Sequence, residues 1–282
     1  MVYLKKTIIE TDAATAVKTD ISEELDPGSH LPLPFPDRRV SDRRAGNRRR
    51  TEPINIKKIT IVIPALNEEK GIGPVVKEIP IDKLREMGYA TEIMVIDNGS
   101  SDKTRHIANG HGAKVFIQPI KGYGNAYKAG FANATGDIIA TGDADLTYPF
   151  SELPKIIKKM EDENLDFITT DRLTNLQPGV MSKTHYFGNI VFSKITKILF
   201  RLPCKDSQSG MWVFKRKIWP KINVRSSGMP FSQELKIEAY KNGFRCTEVP
   251  IIYRARIGEV KLHTFKDGLG NMFHLLFKRI FG

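Results

Sequence analysis

The stretch IIATGDADLTYPF, Ile138 to Phe150, runs an apolar segment of strand type into two carboxylates, Asp143 and Asp145, with only Ala144 between them. In extended backbone, residues i and i+2 face the same side, so the two side chains can converge. Carboxylates so close repel, and one pKa rises unless a cation sits between them. Hard oxygen ligands select Mg²⁺ or Mn²⁺, and Mg²⁺ typically shares its shell with substrate phosphates. The plainer alternative is a turn in which Asp145 caps a loop before Tyr148 and Pro149. What surrounds the stretch weighs between the two.

Working outward, KITIVIPA (58–65), TEIMVID (91–97) and AKVFIQP (113–119) repeat the buried-strand character. Helical patterns fall between them at about Gly73–Met87, Ser101–Gly110 and Tyr123–Asn133. This alternation predicts an α/β fold, a mostly parallel sheet with helices on both faces. Ligands of such sheets bind at the carboxyl ends of the strands. Polar clusters occupy those ends: PALNEE, DNGSSD, KGYGNA and DAD, in that order. Asn67 and Glu68 suit a nucleobase or ribose, or equally the first turn of a helix. Asp97 and Asn98 suit a base edge, or a turn followed by a Ser cap. Lys121 lies near phosphate if the adjoining glycines bring backbone to a ligand. KGYGNAYKAG lacks the full GxGxxG pattern and an acidic residue to read a ribose, which disfavours a nicotinamide enzyme.

The chain has 282 residues and a net charge of +12, of which Asp37 to Arg50 alone supplies five. Residues 1–56, rich in proline and arginine, predict a disordered basic arm ahead of a domain from 57 to 262. The arm has no interleaved aromatics or nucleic-acid motif, so nucleic acid ranks last among anionic partners. Two distant cysteines fit a reducing, cytoplasmic setting. No secretory leader is evident, and no apolar run reaches the roughly 18–20 residues of a membrane span. Two segments combine apolar bulk with basic residues. THYFGNIVFSKITKILFRL (184–202) spaces Phe187, Val191, Ile195 and Ile198 along one stripe and Lys194, Lys197 and Arg201 along another. TFKDGLGNMFHLLFKRIFG (264–282) adds Lys266, Lys278 and Arg279, with Phe277, Ile280 and Phe281 read as exposed. Residues 263–282 thus predict an amphipathic helix able to lie on an anionic membrane surface. The expected location is the cytoplasmic face, as a peripheral protein or with a membrane-anchoring partner.

IVIPALNEE, VIDNGSSDKT, KGYGNAYKAGFANATGDIIATGDADLTYP, DSQSGMWVFKR and EVPIIYRARIGEVKLHTFKDG together resemble family-2 glycosyltransferases in order and spacing. The branch they resemble is that of the dolichyl-phosphate mannose or glucose synthases. The resemblance implies a GT-A fold, a UDP- or GDP-sugar donor, a divalent metal and inverting transfer of a hexose to a polyprenyl or dolichyl phosphate. It places Pro64, Ala65, Leu66 and Glu68 around the nucleoside, with Asp97 and Asn98 near the base. Asp143, Ala144 and Asp145 then hold ribose and metal-bound diphosphate, with Asp143 and Asp145 as metal ligands. Arg172 falls near the donor phosphates, and Arg256 and Lys261 form a phosphate clamp. Leu66, Asn98, Thr147 and Val260 depart from the family pattern. The spacing before Val260 is one residue short, so Arg254 can take the role given to Arg256.

A hydroxyl acceptor must lose a proton as it attacks and calls for a carboxylate in reach. A phosphate monoester is largely anionic at neutral pH and calls for cations instead. Glu234 in MPFSQELKIEAY resembles the family glutamate that points to the acceptor; the alternative is an exposed helix charge pairing with Lys236 or Lys241. Asp206 matches the family DxxSG aspartate, as a base or in a loop-shaping, acceptor-orienting role. His263 reads as structural or interfacial.

Overall fold

The computed structural model describes residues 56–258 and 264–281. The arm expected over 1–56 lies, Ile56 apart, outside the described residues, as do Lys261 and His263.

Strands β1 (Lys57–Ala65), β2 (Tyr89–Asp97), β3 (Lys114–Ile117), β4 (Ile138–Thr141), β5 (Phe167–Asp171), β6 (Trp212–Lys215) and β7 (Cys246–Pro250) form one sheet in the order β3-β2-β1-β4-β6-β5-β7. Every pairing is parallel except those of β6, which runs antiparallel to both β4 and β5. The side-chain period of two explains the layers. Ile59, Ile61 and Ile63 of β1 enter the core cluster on one face, while Val62 joins Met94 and Ile96 on the other. All three isoleucines are fully buried, worth roughly 1.5–3 kcal/mol each.

The helices are α1 (Ile72–Glu78), α2 (Ile81–Glu86), α3 (Thr104–Gly110), α4 (Tyr123–Asn133), α5 (Leu153–Asp162), α6 (Lys183–Phe200), α7 (Phe231–Lys241) and α8 (Thr264–Phe281). The single helix expected over 73–87 is two. Ile79 is extended, with ψ 121°, because a following proline disfavours helical backbone. Against the sheet, α4 and α7 enclose an aromatic cluster in which Tyr127 stacks on Phe231 at 5.7 Å and meets Trp212 edge-on at 4.9 Å. Every residue of α7 from Phe231 to Ala239 is buried, including Gln233, Glu234, Lys236 and Glu238.

From β1 the chain passes to β2 and β3 on one side, then returns to place β4 on the other. The order reverses between β1 and β4, and crevices for ligands open at such a switch point. Ala65 and Asp143 stand at its two lips.

Candidate functional site

Three loops are tied together around this crevice. Asn67, at φ 51°, donates its backbone N–H to Ser100 Oγ at 2.9 Å, and its side-chain oxygen accepts from Ser101 N at 2.8 Å. The Glu68 amide donates to Thr104 Oγ1 at 2.8 Å. The β1 and β2 ends thus form one unit. Within it Pro64 and Leu66 are half-buried, Ala65 and Glu68 buried.

Asp97 and Asn98 are spent on this scaffold. The Asp97 carboxylate accepts from Ser100 N at 3.2 Å and faces Arg105 Nε at 3.4 Å. Asn98 donates to the carbonyls of Gln118 and Ile120 and accepts from Gly122 N at 2.7 Å. Both amide hydrogens and the oxygen of Asn98 therefore shape the 118–122 loop. Both residues thus help to build the turn, one of the two readings their sequence offers, while α3 begins after Lys103 without a Ser cap. Lys121 stands exposed on that loop, beside Gly99.

At the end of β4 the acidic couple is built from below and from the side. Gly71 leaves no room for a side chain: a Cβ there would lie 2.3 Å from Ala144 O. Asp145 Oδ1 accepts from Thr147 N at 3.0 Å and Thr147 Oγ1 at 2.6 Å, while Oδ2 meets Arg256 Nη2 at 2.7 Å. This turn holds Leu146 at φ 66°, a conformation uncommon for a bulky residue. Backbone bonds from Arg254 N to Thr147 O and from Ile257 N to Asp145 O close the far side. So Asp145 does cap a loop, as the plainer reading held, and is also paired with a cation.

Asp143 differs. Among the described residues it makes no hydrogen bond or ion pair. Burial, then the charge of Asp145, push its carboxyl up to about 7 against the pull of Arg256 and Arg172; Glu68 adds to the rise. Asp143, Asp145, Glu68, Arg172 and Arg256 thus share one electrostatic site. Among the described residues no three acidic, His or Cys side chains gather into a complete metal cage. Two carboxylates, one of them without a hydrogen-bond or ion-pair partner among the described residues, fit a hard divalent cation that takes its other ligands from substrate and water.

Four further expectations are corrected or narrowed. Arg254 faces away from the couple, its guanidinium on Glu78 at 2.9 Å and Ser151 at 3.3 Å, so Arg256 alone of the two meets Asp145. Arg172 is forked by Asp206, Nε at 2.6 Å and Nη2 at 2.9 Å, and lies over the Tyr253 ring at 5.3 Å. Asp206 is fully buried; burial works to raise its pKa, but Arg172 prevails and holds it below the usual range. Its bonds to the Arg172 side chain and backbone, and to Gln208 N, hold the loop, and a lowered pKa makes it a poor proton acceptor.

Glu234 is neither exposed nor paired with Lys236 or Lys241. It is 1% exposed and accepts from Ser226 N at 2.8 Å, Ser226 Oγ at 2.5 Å and Lys278 Nζ at 2.9 Å. Burial is outweighed by hydrogen bonds from His274, Ser226 and Lys278, which hold its pKa far below the ordinary carboxylate value. It lines a cavity of about 410 Å³ between α7 and α8, with Asn223, Arg225 and Phe277. These bonds tie α7 to α8, and Lys278, expected in the basic surface, is buried between Glu234 and Glu238.

Sequence patterns do not mark Gly71 or Tyr253 as parts of the site, and they offer Lys236 only as a partner of Glu234. The neighbours of Gly71 and Lys236 come from distant segments, Ala144 for the first and Asp206 for the second. Tyr253 lies within the EVPIIYRARIGEVKLHTFKDG motif, which carries no sign of its contact with Arg172.

Residues 60–222 match the model of glycosyl transferase family 2, and the chain belongs to that family. It is 37% identical over 212 residues to the low-salt glycan biosynthesis hexosyltransferase Agl6 of Haloferax volcanii, covering 74% of this chain and 51% of Agl6. This chain therefore spans about half the length of that relative. It is 34% identical over 211 residues to the dolichyl-phosphate hexose transferase of the same organism, covering 74% of this chain and 89% of the relative. The glucosyl-3-phosphoglycerate synthase of Mycobacterium tuberculosis, solved with Mn²⁺ and UDP-glucose, shares the fold at a TM-score of 0.64, with 21% identity over 79% of each chain. The architecture is GT-A, and the family branch is the one the sequence resembles.

Proposed function

We propose that this chain transfers a hexose, glucose or mannose, from a UDP- or GDP-sugar to a polyprenyl or dolichyl phosphate with inversion. The observation that carries the reading is the couple Asp143–Asp145 at the switch point, open at Asp143 and flanked by Arg172 and Arg256. Kinship with a dolichyl-phosphate hexose transferase over 89% of that relative's length supports the acceptor class. Asp143 and Asp145 would hold Mg²⁺ or Mn²⁺, which when bound neutralises charge on the departing diphosphate. Arg172 and Arg256 contribute fixed positive charge to the same centre. Pro64, Ala65, Leu66 and Glu68 wall the nucleoside, and Lys121 meets phosphate from the rim.

The state of the carboxylates favours a phosphate acceptor. Asp206 and Glu234, the two candidate bases, are locked to cations and hold their protons weakly. A hydroxyl acceptor finds no base in either, whereas a phosphate monoester arrives already ionised.

Residues 57–262 form the transferase domain in this reading, 263–282 a surface helix and 1–56 a basic arm. The helix α6 exposes Phe187 and Ile198 beside Lys194, Lys197 and Arg201, and α8 exposes Phe273, Leu276, Phe277 and Ile280. No described helix is long and apolar enough to cross a membrane. Apolar side chains rimmed by cations suit an anionic membrane surface, on the cytoplasmic side where nucleotide sugars are available. The test is purified protein with Mg²⁺ or Mn²⁺, a panel of UDP- and GDP-hexoses and dolichyl phosphate. Glycosyl-phospholipid from one donor is expected; none from any donor would overturn the proposal.

A further inference from the structure

Helix α7 buries a lysine in an unusual setting. Lys236 is 0% exposed, and among the described residues it forms no ion pair. Its one hydrogen bond there runs from Nζ to the backbone oxygen of Asp206 at 2.8 Å. The other end of the same residue is held by opposite charge. Glu248 of β7 accepts from Asp206 N at 3.0 Å and from Lys205 N at 2.7 Å. The backbone of Asp206 is thus gripped at its N–H by a carboxylate and at its C=O by an ammonium. Between these grips its own carboxylate turns to Arg172, taking Nε, Nη2 and the Arg172 backbone N–H. Arg172 in turn stands near enough to Asp143 for its charge to pull that carboxyl's pKa down.

Burying an ammonium opposes folding, and replacing buried charge with apolar groups of similar volume is often neutral or stabilising. The neighbouring α7 residues Leu235 and Ile237 are apolar and equally buried, so packing alone does not call for a charge here. What the charge does is hold one peptide.

We propose that Lys236 is a positioning residue of the transferase centre: with Glu248 it clamps the Asp206 backbone, and through the Asp206 carboxylate it fixes the Arg172 guanidinium beside the acidic couple. The proposal rests on the reading of that couple as the reaction centre. The ammonium faces Cys204 and Asp206 of the 202–210 loop, Glu248 of β7 and Arg172 after β5, and burial pushes its pKa down to about 8. Its charge is therefore largely present at neutral pH and lost as pH rises through that value.

The test is Lys236→Met in the full chain, measured three ways. Hydrogen exchange across Pro203–Gly210, read by mass spectrometry, should quicken, while the thermal midpoint stays level or rises. Transfer from the productive UDP- or GDP-hexose to dolichyl phosphate at pH 7 should show kcat lowered on the order of tenfold, with donor KM within about twofold. Above pH about 8 the wild-type rate should fall towards that of the variant. In an Arg172→Lys background, Lys236→Met should cost nothing further, because it acts through that arginine. Unchanged exchange overturns the clamp. Faster exchange with unchanged kcat, or a loss additive to that of Arg172→Lys, overturns the positioning role. A lowered thermal midpoint with kcat per active site intact marks a merely structural lysine and overturns it too. If the wild type transfers no hexose yet exchange quickens in the variant, the clamp stands and the assigned reaction centre falls.

Discussion

A methyl group at position 71 is the sharpest probe of the acidic couple. Gly71 has φ −94° and ψ −38°, backbone open to any residue, so Gly71→Ala carries no conformational penalty of its own. Limiting the unfolded chain would by itself stabilise by about 0.4–1 kcal/mol. The obstacle is purely steric. The new Cβ would sit 2.3 Å from Ala144 O and 3.2 Å from Asp145 Cα, where ordinary contact begins at 3.4 Å. Something must yield by roughly 1 Å, and the nearest atoms are backbone of the couple itself. Overpacking of this kind costs about 1–3 kcal/mol. Misplacement by about 1 Å at a reaction centre costs on the order of 100-fold in rate. The expected result is a small net loss of stability with a large loss of kcat. Gly88→Ala supplies the control: it strains a left-handed backbone at φ 86° by about 1–2 kcal/mol but meets nothing within 4 Å. Chemical denaturation and a donor-saturated transfer assay on both variants separate the effects. If Gly71→Ala matches wild-type kcat, or if Gly88→Ala loses as much, the couple does not depend on the position this contact gives it.

Arg256→Ala should lower kcat/KM on the order of 100-fold, since it removes the cation 2.7 Å from Asp145. Arg254→Ala, which breaks a partly exposed pair with Glu78 and a hydrogen bond to Ser151, both away from Asp145, should stay within about threefold in the same assay. At the opposite end of the sheet, burial would raise Glu92, but hydrogen bonds from Lys114, Thr135 and Thr60 hold it at about 2 against an ordinary 4.5. A depressed folded pKa adds stability above about 4.5 that is lost as pH falls towards 2. Glu92→Gln should therefore remove up to about 3 kcal/mol at pH 7 and flatten the acid limb of the denaturation midpoint. The double change Phe273→Glu with Phe277→Glu should abolish sedimentation with phosphatidylglycerol vesicles, binding that in the wild type weakens with salt. Undiminished sedimentation would remove α8 from the membrane reading. Dolichol should be inert where dolichyl phosphate is glycosylated, by a margin of about 10²–10⁴, and Glu234→Gln should retain turnover; a working free alcohol would reinstate a base.

The parts of this molecule that were legible in sequence are those governed by short-range periodicity. Continuous apolar runs gave β1, β2 and β4, and the polar residues after each run marked the crevice lip. The parts that were not legible depend on partners brought from afar. Glu234 finds Lys278 44 residues on, Asp206 finds Arg172 34 residues back, and Arg254 finds Glu78 176 residues back. A local reading offered Lys236 as the partner of Glu234, yet residues two apart on a helix point to different sides. The break at Pro80 was within reach of local rules and was masked by amphipathic spacing across it. The four-residue β6, antiparallel in a parallel sheet, carries no signal of its direction.

The couple is held less by its strand than by what crosses it. The strand β4 ends at Thr141, two residues before Asp143, so hydrogen bonding within the sheet fixes neither carboxylate. Three cross-links take over: the Gly71 contact beneath Ala144, the Thr147 turn on Asp145, and the ladder from Arg254 and Ile257. Two of them bear on Leu146, whose left-handed backbone stores on the order of 1–2 kcal/mol that the surrounding bonds must offset. The ladder comes from a segment more than 100 residues downstream in the sequence. The position of Asp145 is therefore a property of the completed fold, available only after β7 has paired and its continuation has returned across the end of β4. A polar loop so arranged costs stability at the place where an apolar one would not, and a divalent cation bound there would draw the raised Asp143 carboxyl back to its ionised form.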